Sequence, residues 1–234
     1  MMKSQSISVL LIPGFMLDET LWHDFITHLP DHWVIHYGQI TTGKTIAQIA
    51  HDIMASYPYI DIIIGFSLGG YIARQIAADY PDKIKGLTLI ASSLREDTKN
   101  QQQAKTQMIE FYTSHPFKQL SRQTIIRSLH PYHRNDSALI TRIQTMSTHL
   151  GYEALVSQSN LVRSVVPVDS ISCPTLIIGS PQDELRSLEE LTEIKERIPH
   201  SKLHMVENSG HMIPLEQPQE LAKIIITWSN TLSP

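Results

Sequence analysis

The sequence predicts an α/β protein: a mostly parallel sheet of about six strands with helices on both faces. Short apolar runs rich in β-branched residues recur along the chain, each apolar over four to six consecutive residues. Such runs are typical of strands that are buried on both faces, as they are in a parallel sheet. Amphipathic stretches separate the runs, so strands and helices should alternate through right-handed crossovers.

Taken in order, six apolar runs are predicted strands and the stretches between them are predicted helices. The strands are expected at residues 7–14, 32–38, 60–67, 84–93, 174–180 and 202–210. The helices are expected at residues 19–29, 45–57, 68–80, 188–198 and 218–228. The first of these helices places its apolar residues on one face, namely Leu21, Trp22, Phe25, Ile26 and Leu29.

Residues 95–170 depart from this alternation, because they contain no good strand and carry three or four amphipathic segments. Leu139, Ile143, Met146 and Leu150 recur there at helical spacing. We therefore expect an all-helical cap inserted into a core formed by residues 1–94 and 171–234. The cap would lie over the carboxyl ends of the strands, where α/β sheets bind ligands. The alternative is that these helices only enlarge the core.

Composition excludes several classes of function. The chain has 234 residues, 41% of them hydrophobic and 18% charged, which is ordinary for one globular domain. A formal net charge of -4 offers no basic surface to nucleic acid. No segment is long and apolar enough to span a bilayer, and Pro13 and Gly14 interrupt the apolar N-terminal run, so a cytoplasmic protein is expected. The single cysteine, Cys173, is expected to be a buried small hydrophobe.

The stretch Gly65-Phe66-Ser67-Leu68-Gly69 matches G-x-S-x-G at a predicted junction of strand and helix. A serine on such a sharp turn is raised above the sheet, and the flanking glycines avoid the collisions that a Cβ would cause. The positive end of the following helix points to the same place. These features predict that Ser67 is a nucleophile. The alternative is a strand-end serine that caps the helix.

A serine hydroxyl becomes an effective nucleophile when a histidine, itself oriented by a carboxylate, takes its proton. Among the 12 histidines, His211 lies in the loop between the last strand and the last helix, at the edge of the sheet where Ser67 is expected. His130 and His133 suggest a metal site, but no carboxylate or cysteine ligand set joins them, so no metal is expected. Other histidines fall on predicted helices and are expected to be solvated, namely His23, His28, His51 and His149.

The orienting carboxylate should follow the strand predicted at 174–180, where the sequence reads PQDEL. Asp183 and Glu184 compete for this role, and Asp169, which precedes the strand, is a third candidate. Asp183 is favoured because Pro181 bends the turn and because the next helix draws Glu184 toward its first turn.

Two backbone N–H groups are expected to bind the oxyanion. One belongs to Leu68, directly after the nucleophile, and the other to Phe15, in the loop after the first strand. Apolar and aromatic side chains near this loop and in the helical insertion are the candidates for a substrate pocket. They are Phe15, Met16, Phe66, Met108, Phe111, Tyr112, Met146 and Tyr152.

Four motifs stand in the order and spacing of the α/β-hydrolase superfamily, namely LLIPGF, IIIGFSLGGYIA, CPTLIIGS followed by Asp183, and SGHMIPLEQP. Over essentially its whole length the chain resembles this superfamily, and within it the small bacterial carboxylesterase-like hydrolases with a helical cap. The resemblance implies the α/β-hydrolase fold and the order nucleophile, acid, histidine.

The sequence departs from the superfamily pattern at three points. Pro13 stands where relatives often have histidine. Asp183 follows Gly179 one residue later than the acid does in many relatives. The first predicted strand matches the strand that relatives count as their third, so their leading hairpin is expected to be absent.

The expected function is a serine hydrolase that cleaves a small carboxylic ester or thioester and needs no cofactor. A carbon–carbon bond hydrolase and an acyltransferase would use the same triad, and a non-catalytic receptor with this fold would keep it. The expected partner is a small-molecule substrate, with neither nucleic acid nor a membrane span, and the oligomeric state is left open.

Overall fold

The computed structural model describes residues 6–232, which contain a single six-stranded sheet. The strands are β1 Ile7–Ile12, β2 Trp33–Tyr37, β3 Ile62–Phe66, β4 Gly86–Ile90, β5 Thr175–Gly179 and β6 Ser201–Met205. Their order across the sheet is β2-β1-β3-β4-β5-β6. Every neighbouring pair is parallel, so the predicted fold class is confirmed.

Burial differs between the centre and the edges of the sheet. Every residue of β3, β4 and β5 is buried, as their continuous apolar runs predict. The edge strands β2 and β6 are only partly buried, and β6 alternates between half-buried and exposed positions. The expectation that every strand is buried on both faces is therefore wrong for β2 and β6, because an edge strand has a neighbour on one side only.

The helices are α1 His23–Ile26, α2 Ile46–Ser56, α3 Leu68–Asp79, α4 Lys99–Ser114, α5 Arg122–Ile126, α6 Ser137–Ser159, α7 Leu188–Arg197, α8 Ile213–Glu216 and α9 Pro218–Ser229. α1, α8 and α9 contribute to one layer of the core, and α2, α3 and α7 contribute to the layer on the opposite face of the sheet. Side chains of β3 alternate between the layers, with Ile62 and Ile64 in the first and Ile63 in the second. Among residues 6–232, no helix has the length and apolar character needed to cross a membrane.

The helix predicted at 19–29 is shorter than expected. A 3₁₀ turn covers Glu19–Trp22 and only His23–Ile26 is α-helical. The N–H groups of Thr27, His28 and Leu29 donate to carbonyls three residues earlier, which is the 3₁₀ pattern. The predicted apolar face is nonetheless present, because Leu21, Trp22 and Phe25 are fully buried.

The segment between β4 and β5 is all-helical in the structure, as the sequence predicts. Its helices α4 and α6 are capped by the residues that precede them, Thr98 and Asp136, whose side chains accept hydrogen bonds from the first turn of each helix. α6 bends at Gly151, where φ is 73°. The predicted apolar face of α6 faces the core, with Ile143 buried in the same layer as α9.

Candidate active site

Ser67 lies on a strained turn between β3 and α3, with φ 49° and ψ -109°. A residue other than glycine rarely adopts a positive φ, and such strain clusters at functional positions. Close packing around the turn requires glycine nearby: a Cβ on Gly69 would lie 2.3 Å from the Ile12 carbonyl oxygen. The sharp strand-to-helix turn expected from the G-x-S-x-G motif is therefore present.

Ser67, His211 and Asp183 form a continuous chain of hydrogen bonds. The Ser67 hydroxyl lies 3.0 Å from Nε2 of His211, and Nδ1 of His211 lies 2.8 Å from Oδ2 of Asp183. Ser67 and His211 are buried, with 9% and 6% of their surface exposed. The three residues come from the ends of β3, β5 and β6, which meet at the carboxyl edge of the parallel sheet.

The carboxylate of Asp183 is held by the turn in which it lies. Its Oδ1 accepts hydrogen bonds from the N–H groups of Leu185 at 2.7 Å and Arg186 at 3.0 Å. Its Oδ2 is therefore left to accept from Nδ1 of His211. A carboxylate in this position favours the tautomer that carries its proton on Nδ1. Nε2 then faces Ser67 with a free lone pair that can accept a proton.

The other two candidate carboxylates point elsewhere. Glu184 pairs with Arg134 on the surface. Asp169 pairs with Arg197, whose hydrogen bonds lower the pKa of that carboxyl, and Asp169 is largely exposed. Of the three candidates, only Asp183 is hydrogen-bonded to His211 in the part of the chain that the structure describes.

The Phe15 and Leu68 N–H groups are both unpaired. Within residues 6–232, neither donates a hydrogen bond. The next N–H along the first loop, that of Met16, is already used, because it donates to Oε1 of Gln158 at 2.8 Å. Phe15 and Leu68 both border the cavity beside Ser67, so their free donors suit an oxyanion.

Sequence reasoning missed a buried carboxylate that holds the His211 loop. Oε2 of Glu216 accepts from the Gly210 N–H at 2.8 Å, while Oε1 accepts from the His130 N–H at 2.7 Å. The His211 N–H donates in turn to the carbonyl oxygen of Ser128 at 2.8 Å. The loop after β6 is thus attached at two points to the segment that joins α5 and α6. An acidic residue inside the apolar stretch HMIPLEQP is the signal that points to such a role, since a buried charge needs partners.

His130 and His133 have structural partners in place of a metal. Nδ1 of His130 accepts from the Tyr132 N–H, and Nδ1 of His133 lies 2.9 Å from Oε1 of Glu216. Across residues 6–232, no cluster of three or more histidine, cysteine or acidic side chains is suited to hold a metal ion.

A cavity of about 650 Å³ opens beside Ser67 and His211. Five of the predicted pocket residues line it, namely Phe15, Phe66, Met108, Phe111 and Tyr112. The last three belong to α4, so the helical segment supplies one wall. Phe66 also lies against the His211 ring, with 5.1 Å between the ring centroids.

Three predicted pocket residues lie outside this cavity lining. Met16 and Met146 are 0% and 1% exposed and belong to the hydrophobic core. Tyr152 is half-buried, and its hydroxyl donates to the carbonyl of Ile109 at 3.2 Å. On α6 the cavity is lined by Ile143 and not by Met146, although both side chains belong to the same apolar face and the same core layer.

The fold and the sequence motifs place the chain in a known family. The family model of the alpha/beta hydrolase fold matches residues 8–218, so the chain belongs to this family. The resemblance found in the sequence is thereby confirmed.

Two relatives have names that describe ester substrates. Monoacylglycerol lipase ABHD6 of Rattus norvegicus is 24% identical over 251 residues, which cover 94% of this chain and 74% of the lipase. The pimeloyl-[acyl-carrier protein] methyl ester esterase of Vibrio parahaemolyticus is 23% identical over 225 residues and 88% of each chain.

Solved structures show the same fold. A thermophilic esterase from Thermogutta terrifontis, solved with malate bound, superposes with a TM-score of 0.83 at 24% identity, covering 97% of this chain and 90% of the esterase. The enol-lactonase from Burkholderia xenovorans LB400 reaches a TM-score of 0.83 at 15% identity, covering 97% of this chain and 92% of the lactonase.

Proposed function

We propose that this protein is a serine hydrolase that cleaves a small carboxylic ester or thioester through an acyl-enzyme on Ser67. The observation that carries the proposal is the unbroken Ser67–His211–Asp183 chain, which opens into a cavity next to two free backbone N–H groups. The names of the relatives, a monoacylglycerol lipase and a methyl ester esterase, support ester bonds as the target.

In the first half of the reaction, Oγ of Ser67 attacks the acyl carbon while Nε2 of His211 takes the hydroxyl proton. The negative oxygen that forms is stabilised by the N–H groups of Phe15 and Leu68. Asp183 stabilises the imidazolium without taking its proton. His211 then passes the proton to the departing alcohol or thiol, which leaves the acyl group on Ser67.

In the second half, water replaces the alcohol. His211 takes a proton from the water as its oxygen attacks the acyl carbon, and the same two N–H groups hold the second oxyanion. The proton returns to Oγ of Ser67 when the acid product leaves.

Residues 95–170 act as a cap in this proposal. α4 and α5 supply much of the cavity wall, including Met108, Tyr112 and Ile125. A wall that is mostly apolar favours a substrate of modest size with an apolar part beside the ester.

A labelling experiment tests the proposed nucleophile. A fluorophosphonate should label wild-type protein at Ser67 alone, because an unactivated serine does not attack phosphorus at neutral pH. Ser67→Ala should lose the label and lower kcat for a chromogenic short-chain ester by several orders of magnitude. Ser56→Ala, an exposed serine at the end of α2, is the matched control and should keep both.

Label on another serine would refute the assignment. Label on Ser67 without turnover of any ester would point to the non-catalytic receptor. Analysis of the products distinguishes ester hydrolysis from carbon–carbon cleavage and from acyl transfer.

A further inference from the structure

The wall of the catalytic cavity carries an excess of positive charge. Four cationic side chains line it, and one carboxylate accompanies them, that of Asp97; the cations are Lys105, Arg127, Arg163 and Arg186. The whole chain has a net charge of -4, so the cavity is opposite in sign to the molecule. Charges of one sign in a cleft with apolar walls focus their field on whatever enters it.

Two of the four cations form one cluster with the carboxylate, namely Lys105 of α4 and Arg163 with Asp97. Nη1 of Arg163 lies 2.7 Å from Oδ1 of Asp97, and the Lys105 ammonium donates to Oδ2 of the same carboxylate. One carboxylate thus serves two cations, which leaves the cluster with one uncompensated positive charge. Arg186 does not share this excess, since it is paired with Glu190 at 3.6 Å.

The cluster is buried and has unused donors. Arg163 is 8% exposed, and its Nε has no hydrogen-bond partner among residues 6–232. Burial, together with the neighbouring Arg163 charge, lowers the pKa of Lys105. Because Asp97 balances only one of the two charges, the surplus cation is costly to hold away from water unless a second anion joins the cluster.

The cluster also borders the same cavity as Ser67 and His211. The Lys105 ammonium is 5.9 Å from the centroid of the Phe15 ring, and Phe15 carries one of the two proposed oxyanion donors. Lys105, Arg163 and Asp97 also border a smaller cavity of about 230 Å³, together with Glu96, whose exposed carboxylate forms no ion pair with either cation among residues 6–232. There is therefore space for a ligand group next to the cations.

We propose that Lys105 and Arg163 form an anion-binding end of the catalytic cavity, so that the preferred substrates are esters that carry a carboxylate a short apolar chain away from the scissile carbonyl. A carboxylate is the matching group because its single charge equals the uncompensated charge of the cluster. This inference rests on the proposed ester hydrolysis and names the class of substrate for the same site.

The test compares two ester series of graded chain length: monomethyl esters of straight-chain dicarboxylic acids, and methyl esters of the matching monocarboxylic acids. The measured quantity is the ratio of kcat/KM for the charged ester to kcat/KM for the neutral one. In wild type this ratio should be about ten or more, because hydrogen bonds between charged groups are stronger than those between neutral groups. Added salt should lower it.

Variants of the cluster should shift the ratio in opposite directions. Lys105→Gln and Arg163→Gln should lower it about tenfold, because each removes a cation that faces the carboxylate. Asp97→Asn should raise it, because it removes the carboxylate that competes with the substrate. A merely structural ion cluster predicts no such opposition. Lys99→Gln is the control, since it makes the same change at an exposed position of α4 outside the cavity.

A ratio near one in wild type, or one that Lys105→Gln leaves unchanged, would overturn this inference and leave the proposed hydrolysis intact. If Lys105→Gln and Arg163→Gln fail to fold, Asp97→Asn and the salt dependence of the wild type decide the question. Failure to hydrolyse either series, with Ser67 unlabelled by fluorophosphonate, would instead overturn the proposed function.

Discussion

At the scale of single residues, neighbours in sequence have different roles because of where their side chains point. Asp183 turns inward, and its two oxygens are shared between the His211 ring and two backbone N–H groups. Glu184, the next residue, turns outward to Arg134. Adjacent residues therefore place one carboxylate against the His211 ring and the other in a surface ion pair.

This contrast predicts that Asp183→Asn lowers kcat by about 10⁴ near neutral pH, because an amide favours the wrong tautomer of His211. Glu184→Gln should cost less than about tenfold, since exposed ion pairs contribute little. Ester turnover of both variants and of the wild type should be measured at the same pH, near neutrality. If the two variants exchange ranks, Glu184 is the acid and the geometry described above does not represent the active enzyme.

At the scale of elements, the helical segment and the loop that carries His211 are joined through Glu216 of α8. Its buried carboxylate accepts from the N–H groups of Gly210 and His130, from the Ser209 hydroxyl and from the His133 ring. Oε1 takes the two donors of the His130–His133 turn and Oε2 takes those of Ser209 and Gly210, so the carboxylate joins two segments that are far apart in the chain.

Glu216→Gln should therefore destabilise the fold by at least about 1–3 kcal/mol, because an amide cannot accept at its nitrogen and leaves buried donors without partners. Ester turnover should fall as well, since the His211 loop loses its attachment. Chemical denaturation of the variant, compared with Glu220→Gln at a partly exposed position of α9, measures the effect. Equal free energies of unfolding for the two variants would show that Glu216 does not anchor this loop.

At the scale of the whole molecule, the pH dependence of the free energy of unfolding should include a contribution from Cys173, which does not line the cavity beside Ser67. Cys173 is 6% exposed, and burial raises the pKa of its thiol from 9.0 to about 11. The folded state thus favours the neutral thiol. Its contribution to stability is complete below pH 9 and is lost as the pH rises toward 11, because the unfolded chain releases the proton first.

The free energy of unfolding of the wild type should therefore fall more steeply than that of Cys173→Ala between pH 9 and 11. The difference should approach about 2 kcal/mol. Urea denaturation of both proteins across this range measures it, and comparison of the two slopes cancels the lysines and tyrosines that titrate there. Parallel slopes would show that the thiol is not shielded from water.

The sequence alone determined the parts of this protein that depend on local pattern. Continuous apolar runs identified β3, β4 and β5, because a strand covered on both faces has no position for a polar side chain. The glycines around Ser67 indicated the strained turn, since close packing at Gly69 excludes any Cβ. Chain order then placed Asp183 and His211 at the same sheet edge as Ser67.

Only the tertiary structure decided what depends on contacts between distant parts of the chain. Met146 lies in the core while Tyr112 lines the cavity, although both are apolar residues of the same helical segment. Glu216 and the Lys105 cluster gain their roles from partners as many as 86 positions away in sequence. The elements that pack against a helix decide which of its side chains enter the core and which line a cavity. The sequence pattern within the helix does not contain this information.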